Sequence, residues 1–247
     1  MVLITVPYHL DEHLPDFDSG LRPDAVVTTP LPDAGPWQRM AALYERVAAE
    51  VAGAPDVPVV VSGDCTTSLG VLAGLQRSGR EPGVVWFDAH ADLQTEATTA
   101  SGYLGGMPLA LAVGVGTPTL PDLLGLRRVP EARVVLVDAR DIDPPEEDLL
   151  ARSALVRTPV EAVRTDELPD GPLYLHVDLD VCDPQDVPDL LFPAPGGPPA
   201  DALLAALGRV AATGRVAAVG LAATWHHDRA TPRHAELLAG VLAAATG

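Results

Sequence analysis

Short apolar runs rich in valine and leucine recur along the chain, and longer stretches with a helical pattern separate them. The short runs are bounded by Pro, Gly or Asp, which is typical of buried strands. The eight predicted strands are Val2–Tyr8, Ala25–Thr29, Val57–Ser62, Gly83–Asp88, Arg133–Asp138, Ala154–Arg157, Leu173–Asp178 and Val216–Ala223. The six predicted helices are Pro36–Ala52, Thr67–Arg77, Pro108–Val113, Glu146–Ala151, Ala200–Thr213 and His234–Ala245. This alternation predicts an α/β fold with helices on both faces of an eight-stranded, mostly parallel sheet.

Length and composition fit one compact enzyme. With 247 residues, of which 47% are hydrophobic, the chain can bury one large core. Chains of this class and length are routinely single domains, so we expect one domain over residues 1–247. No apolar stretch has the length and character of a membrane span, and no basic region precedes the first apolar run. We therefore expect a cytoplasmic protein.

The charge pattern excludes several classes of function. The formal net charge is −18, and phosphate-rich partners require basic patches, so neither nucleic acid nor membrane is expected as a partner. All 16 basic residues are arginine. The absence of lysine excludes a Schiff-base lysine, a pyridoxal phosphate site and a Walker-type phosphate loop. The two cysteines lie in separate motifs and give no disulfide framework.

Acidic residues cluster at the ends of two predicted strands. One strand runs out into Asp88, His90 and Asp92, and the other carries Asp178 and Asp180. Alternation predicts that Asp178 and Asp180 share a strand face, where two carboxylates repel each other unless they are protonated, hydrogen-bonded or bridged by a cation. A single motif of this kind is often a solvated loop or a helix cap. Two of them at the carboxyl ends of strands, where α/β proteins bind ligands, indicate a functional site.

The residue types in these clusters point to a class of metal. Carboxylates combined with imidazole suit manganese, iron or zinc, whereas carboxylates alone would favour magnesium or calcium. The sequence therefore predicts the two-metal site of a hydrolase.

Five motifs follow one another along the chain. They are Ser62-Gly-Asp-Cys-Thr-Thr-Ser68, Trp86-Phe-Asp-Ala-His-Ala-Asp-Leu-Gln-Thr95, Gly106-Met-Pro-Leu-Ala110, Asp141-Ile-Asp-Pro-Pro-Glu146 and His176-Val-Asp-Leu-Asp-Val-Cys-Asp-Pro184. In this order they resemble the signatures of the arginase/agmatinase (ureohydrolase) family. The Asp-Ala-His-Ala-Asp motif is highly specific. The resemblance implies the three-layer α/β/α arginase-like fold.

The same resemblance implies two manganese ions, which together activate a hydroxide for attack on a guanidinium carbon. The ligands that it implies for one ion are Cys65, Asp88, Asp92 and Asp178. The ligands that it implies for the other ion are His90, Asp88, Asp178 and Asp180. Two of these aspartates, Asp88 and Asp178, would bridge the ions.

Cys65 departs from the family pattern, which usually has histidine at this position. A thiolate is a softer ligand, so it moves the metal preference from manganese toward zinc or iron. A small buried thiol with no ligand role is the alternative interpretation. The same cysteine occurs in a hydroxyarginine-hydrolysing branch of the family, known from D-cycloserine biosynthesis.

Three further positions depart from the family pattern. Gly105 stands where arginases place a proton-shuttling histidine. Thr224, a candidate substrate-binding residue, stands where the family has the glutamate that pairs with the guanidinium, so a charge-assisted anchor is lost. His176 stands where the family commonly has serine. It is an added partner of the metal ligands, an alternative ligand, or a satisfied core histidine.

The departing amine still needs a proton. We count His176, His226 and His227, together with Asp92, among the candidate catalytic residues. A surface position is the competing interpretation for His226 and His227, which fall in a polar connection before the last helix. His9 and His13, in the loop after the first strand, could reach a cleft on that side, but a surface position is expected for both.

Several substrate-binding positions are retained. Gln94 stands where arginases have the asparagine that binds the α-carboxylate, and Ser101 lies further along the same stretch. Asp141, Asp143 and Glu146 match positions that engage or support the α-amino group. Asp143 and Glu146 are also good residues for a helix start, and both roles can hold at once. Together these residues suggest an amino-acid-like substrate.

The leading hypothesis is a metal-dependent hydrolase that cleaves a C–N bond of a guanidino or hydroxyguanidino amino acid. Two alternatives stay open: a relative that hydrolyses a formimidoyl or hydrazine-like bond, and a degenerate, non-catalytic metal-binding homologue. Arginase relatives are often trimers or hexamers, so the resemblance leaves a homo-oligomer open.

Overall fold

The computed structural model describes residues 1–247 and contains ten strands. In chain order they are β1 (Val2–Val6), β2 (Tyr8–His9), β3 (Glu12–His13), β4 (Ala25–Val26), β5 (Pro58–Ser62), β6 (Gly83–His90), β7 (Val134–Asp141), β8 (Val156–Thr158), β9 (Leu173–Asp178) and β10 (Val216–Ala222). Eight of them form one sheet in the order β4-β1-β5-β10-β9-β6-β7-β8. Every neighbouring pair in this sheet is parallel. The short strands β2 and β3 form a separate antiparallel hairpin.

Seven α-helices connect and cover the strands. They are α1 (Pro36–Gly53), α2 (Ser68–Arg77), α3 (Pro108–Val113), α4 (Thr119–Leu124), α5 (Pro144–Arg152), α6 (Ala200–Ala211) and α7 (Pro232–Thr246). Buried residues of α1 to α5 pack in one hydrophobic core with one face of the sheet. Buried residues of α6 and α7 pack in a second core with the other face. The result is a three-layer α/β/α fold, and the predicted fold class is confirmed.

The two cores follow from strand alternation. In β6, Trp86 belongs to the core on the side of α1, and its neighbour Phe87 belongs to the core on the side of α6. In β9, Tyr174 and Leu175 divide in the same way. Because both faces are covered, the central strands are apolar over most of their length, and this made their positions predictable from the sequence.

Every predicted strand and helix is present, most of them with shifted ends, but helix α4 and the hairpin β2–β3 were missed. Helix α4 was not predicted, and it contains a proline, Pro121. Pro121 stands in the first turn of the helix, where its missing N–H has no intrahelical partner to lose. The first predicted strand extended to Tyr8, and the residues after it were predicted to be a loop. In the structure β1 ends at Val6, because Pro7 cannot donate to the ladder, and Tyr8 begins the hairpin β2–β3.

None of the helices combines the length and the apolar character that crossing a membrane would require.

Candidate functional site

A cavity of about 530 Å³ opens at the carboxyl ends of the central strands. Parallel strands bring the residues that follow them to one edge of the sheet, so segments far apart in sequence meet here. The predicted site residues that line the cavity are Cys65, Asp88, His90, Asp92, Gln94, Ser101, Asp141, Asp143, Glu146, Asp178, Asp180 and Thr224. Tyr103, Gly105 and Phe192 are among the other lining residues.

Three predicted catalytic histidines lie elsewhere. His176 is buried within β9, below the cavity. His226 and His227 line a second cavity of about 390 Å³, which also contains His9. The ring of His227 is held there by its Nε2, which lies 3.1 Å from the carbonyl of Ala223, and by packing against Phe17.

Four aspartates at the base of the cavity are almost completely buried. Asp88, Asp92, Asp178 and Asp180 expose between 1% and 5% of their surface. No arginine forms an ion pair with any of them, and His90 is the one basic side chain in contact. Its Nδ1 lies 3.0 Å from Asp180 Oδ2 and 3.5 Å from Asp88 Oδ1. Four buried carboxylates with one imidazole leave a large excess of negative charge, which a bound cation would offset.

The acid–base properties of these groups reflect the excess charge. Burial raises the pKa of all four carboxyls, and their mutual repulsion adds to it. The pKa of Asp178 rises to about 7, from burial and then from the charge of Asp180. The pKa of Asp180 rises to about 6, from burial and then from the charge of Asp88. Burial lowers the pKa of His90, but hydrogen bonds and charge attraction to Asp180 and Asp88 outweigh it and raise the pKa to about 12.

The backbone that aims these side chains differs from the predicted one. Strand β9 ends at Asp178, and Asp180 lies in a 3₁₀ turn over Leu179–Val181, so the prediction that the two share a strand face was wrong. The turn is fixed locally because the N–H of Asp180 donates to Oδ1 of Asp178 at 2.9 Å. Asp92 lies beyond the end of β6 in the left-handed region, at φ 54°. Aspartate tolerates this conformation better than most residues, and it turns the carboxylate into the cavity.

Hydrogen bonds hold the carboxylate oxygens in place from outside the cluster. Trp86 Nε1 donates to Asp88 Oδ2 at 3.1 Å, and the N–H of Ala89 donates to Asp180 Oδ1 at 3.2 Å. The hydroxyl of Thr224 donates to Asp178 Oδ1. Thr224 is therefore engaged with a predicted metal ligand.

Cys65 follows β5 and places its thiol among the aspartates. Its Sγ lies 2.9 Å from Asp178 Oδ2 and 3.8 Å from Asp88 Oδ2. Burial, followed by repulsion from Asp178 and Asp92, raises the pKa of the thiol well above its ordinary value. A nearby cation would reverse this shift and stabilise the thiolate.

The donor atoms form two overlapping groups that could hold metal ions. One contains Cys65, Asp88 and His176, and the other contains Asp88, His90 and Asp180, with ligand atoms within 4.8 Å of one another in each. Asp92 Oδ2 is buried and has no hydrogen-bond partner. Sulfur, imidazole and carboxylate donors together fit a divalent transition metal.

One wall of the cavity is a hydrogen-bonded network that starts α5. The carboxylate of Glu146 accepts from the N–H of Leu93 at 2.9 Å and from the N–H of Asp143 at 3.1 Å. Asp143 accepts in turn from Nε2 of Gln94 at 2.8 Å. Pro144 and Pro145 occupy the first two helical positions, so the predicted helix start at Asp143 is present and α5 begins two residues earlier than predicted.

Sequence reasoning missed a pair of residues at the opposite wall. The hydroxyl of Tyr103 lies 2.9 Å from Nε2 of His9, and Nδ1 of His9 lies 2.9 Å from the carbonyl of Gly63. A Cβ atom placed on Gly105 would collide with the ring and hydroxyl of Tyr103. The tyrosine therefore fills the space in which a side chain at position 105 would begin. His9 is half-buried in this contact, not free at the surface as expected.

Arg140 was also missed, and it fixes the loop after Asp180. Its guanidinium pairs with Asp138 and donates to the carbonyls of Asp180 at 3.1 Å and Val181 at 2.9 Å. It further donates to the carbonyl of Ala194 at 2.6 Å. One side chain thus ties the turn that carries Asp180 to the next loop.

Comparison with known proteins decides the family. A sequence model of the arginase family matches residues 10–224. The chain belongs to the arginase family. The resemblance seen in the motifs is confirmed.

Two curated relatives show which members of the arginase family the chain resembles in sequence. It is 34% identical to the arginase of Brevibacillus brevis over 167 residues, which cover 62% of this chain and 56% of that protein. It is also 34% identical to the N(omega)-hydroxy-L-arginine amidinohydrolase of Streptomyces lavendulae over 155 residues, covering 61% of this chain and 55% of that protein. The matched part thus spans little more than half the length of these relatives.

Among solved structures, the arginase of Bacillus cereus superposes with a TM-score of 0.84 at 23% identity, covering 100% of this chain and 98% of that chain. The arginase fold therefore extends over the whole of the present chain.

The raised pKa of Asp178 gives a test on the metal-free protein. A carboxyl with a folded pKa of about 7, against about 3.9 when unfolded, stabilises the fold fully below the unfolded value and loses this effect as the pH rises through 7. Asparagine at this position cannot titrate. Relative to Asp178→Asn, the metal-free wild type is expected to lose about 2 kcal/mol of unfolding free energy between pH 5 and pH 8.

Urea unfolding of both metal-free proteins at the two pH values measures this difference. The same pH dependence in both would contradict the assignment. Metal-loaded wild type serves as the control, because a bound cation keeps the carboxylate ionised across the range and abolishes the trend.

Proposed function

We propose that this chain is a metal-dependent hydrolase that cleaves a C–N bond of a guanidino or hydroxyguanidino amino acid. The observation that carries the proposal is the set of four buried aspartates at the base of an open cavity, with one histidine and no arginine to offset them. A structural role would not require clustered charges that destabilise the metal-free fold. Membership in the arginase family supports the reaction class.

Two divalent ions would occupy the base of the cavity. Manganese is expected from the family, and Cys65 favours zinc or iron as replacements. The ligands would be Cys65, Asp88, Asp92 and Asp178 for one ion and His90, Asp88, Asp178 and Asp180 for the other. When bound, the pair supplies Lewis-acid chemistry and lowers the pKa of water so that a nucleophile is available at neutral pH.

The wall formed by α5 suits the amino-acid end of a substrate. The carboxylates of Asp141 and Asp143 face the cavity and would attract an α-ammonium group. Gln94 presents an amide beside them, and an amide N–H can donate to an α-carboxylate. An amine that lacks the α-carboxylate would leave this part of the wall unused.

The base of the cavity favours a reacting group of low basicity. The family's guanidinium-binding carboxylate is replaced by Thr224, whose hydroxyl is already committed to Asp178. A hydroxyguanidine is less basic than a guanidine, so it loses less from the missing ion pair. The similarity to the Streptomyces lavendulae amidinohydrolase supports the same choice of substrate.

Tyr103 and His9 would deliver the proton to the departing amine. The Tyr103 hydroxyl lines the reaction cavity, and burial raises its pKa, so it stays protonated. Because a raised pKa also makes the phenol a weak acid, it can give up its proton only as it takes another from His9. When His9 is protonated, its Nε2–H donates to Tyr103 while its Nδ1–H donates to Gly63. As the C–N bond breaks, the tyrosine proton passes to the leaving nitrogen, and the Nε2 proton of His9 replaces it. His9 also lines the second cavity, where it can regain a proton from solvent.

A substrate panel tests this function. Protein stripped of metal and reloaded with manganese or zinc is assayed with L-arginine, Nω-hydroxy-L-arginine and agmatine. We expect the highest kcat/KM for hydroxyarginine, about tenfold above arginine, because the missing ion pair is worth roughly 1.5–3 kcal/mol to the more basic group. Hydroxyurea and ornithine are the expected products.

Stripped protein without added metal is the matched control and should be inactive. The proposal would be abandoned if the loaded enzyme hydrolysed no member of the panel and Asp178→Ala retained as much metal as the wild type. Activity on a formimidoyl substrate without urea or hydroxyurea release would instead favour the alternative chemistry. Metal binding without any turnover would favour a non-catalytic homologue.

A further inference from the structure

Two histidines are buried almost completely, and only one of them is satisfied. His234 has 2% of its surface exposed, and both ring nitrogens have partners: Nδ1 accepts from the N–H of Thr231 at 3.0 Å, and Nε2 lies 2.9 Å from the carbonyl of Pro188. His176 has 1% exposed, and its Nε2 has no hydrogen-bond partner. A buried polar atom without a partner destabilises the fold, so its exposure to a ligand would explain why it is retained.

The ring of His176 is held rigidly from two sides. It stacks on Trp86, with the ring centroids 3.7 Å apart, and its Nδ1 lies 2.9 Å from the hydroxyl of Ser68. Tyr174 donates to the same hydroxyl at 2.7 Å. The ring therefore cannot rotate to satisfy Nε2 elsewhere without breaking these contacts.

The surroundings of His176 identify the missing partner. A ring nitrogen of His176, Sγ of Cys65 and a carboxylate oxygen of Asp88 all lie within 4.8 Å of one another. Nδ1 is engaged with Ser68, so Nε2 is the nitrogen with a free lone pair when Nδ1 carries the proton. Imidazole bound through one nitrogen and held by a hydrogen bond through the other is the usual arrangement of a metal-ligating histidine.

We propose that His176 binds, through Nε2, the metal ion on the Cys65 side of the cavity. The inference rests on the metal centre of the proposed function and adds a ligand to it. In the segment after β5, Cys65 stands where the family usually has a histidine. His176 supplies an imidazole instead from β9, two strands away in the sheet. This ion then has sulfur, nitrogen and oxygen donors, a set that favours zinc or iron over manganese more strongly than Cys65 alone.

The test compares four zinc-loaded proteins: wild type, His176→Ser, His176→Gln and His234→Gln. X-ray absorption at the zinc edge counts imidazole ligands, and chelator competition with elemental analysis measures zinc affinity. In both His176 variants the averaged imidazole count per zinc is expected to fall by about half, from two imidazoles over two ions to one. The affinity of the protein for the zinc ion on the Cys65 side is expected to fall at least about 100-fold. Even the hydrogen-bond partners of metal ligands contribute 10–100-fold to affinity, and a ligand should contribute no less.

The control, His234→Gln, removes an equally buried but satisfied imidazole and should leave the imidazole count unchanged. His176→Gln keeps most of the side-chain volume, so the proposal stays testable if His176→Ser folds poorly. An unchanged imidazole count in folded His176→Gln would overturn the proposal. If wild type still binds two metals and hydrolyses its substrate in that case, the proposed function stands. A wild type that binds no metal would overturn both.

Discussion

Replacing Asp178 by asparagine is expected to remove the bound metal and to lower kcat/KM at least about a thousandfold. Asp178 contacts Cys65 on one side and Asp180 on the other, so it joins the two groups of predicted ligands. An amide is a much poorer metal ligand than a carboxylate, and losing the centre forfeits several kcal/mol of transition-state stabilisation. Metal content by elemental mass spectrometry and steady-state kinetics on the same sample measure both effects.

A surface aspartate provides the matched control. Asp201 lies exposed in the first turn of α6 and does not line the cavity, so Asp201→Asn should keep full metal content and activity. Because Asp178→Asn also removes a buried charge, the metal-free variant should be at least as stable as metal-free wild type at pH 8. Loss of activity with metal content intact would contradict a ligand role for Asp178.

Tyr103→Phe is expected to lower kcat about 100-fold or more while KM changes little. The substitution deletes one hydroxyl and keeps the ring that packs against His9 and Phe192. General acid catalysis typically contributes 10²–10⁴-fold, and it acts on the chemical step instead of on substrate binding. Steady-state kinetics with hydroxyarginine at saturating metal measure the split between kcat and KM.

Two further variants make this test specific. Tyr8→Phe removes the hydroxyl of another buried tyrosine, which bonds only to the carbonyl of Thr29, and should leave kcat unchanged. His9→Gln should reproduce part of the loss in kcat, because the tyrosine then lacks its proton source. Wild-type kcat in Tyr103→Phe would exclude the tyrosine as proton donor and return attention to His227 and the second cavity.

The sequence could predict the parts of the site that depend on the sheet. Asp88 and Asp178 end apolar runs, and parallel strands must bring their carboxyl ends to one edge, so their meeting follows from the pattern. Asp180 and Asp92 could not be placed in the same way, since a 3₁₀ turn and a left-handed backbone aim them. These local conformations depend on hydrogen bonds that strand alternation does not encode.

The contact between Tyr103 and His9 lay beyond sequence reasoning for a different reason. The two residues are 94 positions apart, and neither follows a strand of the large sheet whose position the sequence predicts. Because Gly105 has no side chain, the Tyr103 ring can occupy the adjacent space and reach His9, and only the packed structure reveals this. The departure at Gly105 was visible as a lost side chain, but the residue that takes its volume was not.

The strand order makes the spacing of the predicted metal ligands depend on the last strand of the chain. Strand β10 lies between β5, which Cys65 follows, and β9, which ends at Asp178. It holds these two strands at the distance that brings the thiol to 2.9 Å from the carboxylate. Loss of the β10 pairing would therefore separate Cys65 from Asp178 while every ligand residue stays unchanged.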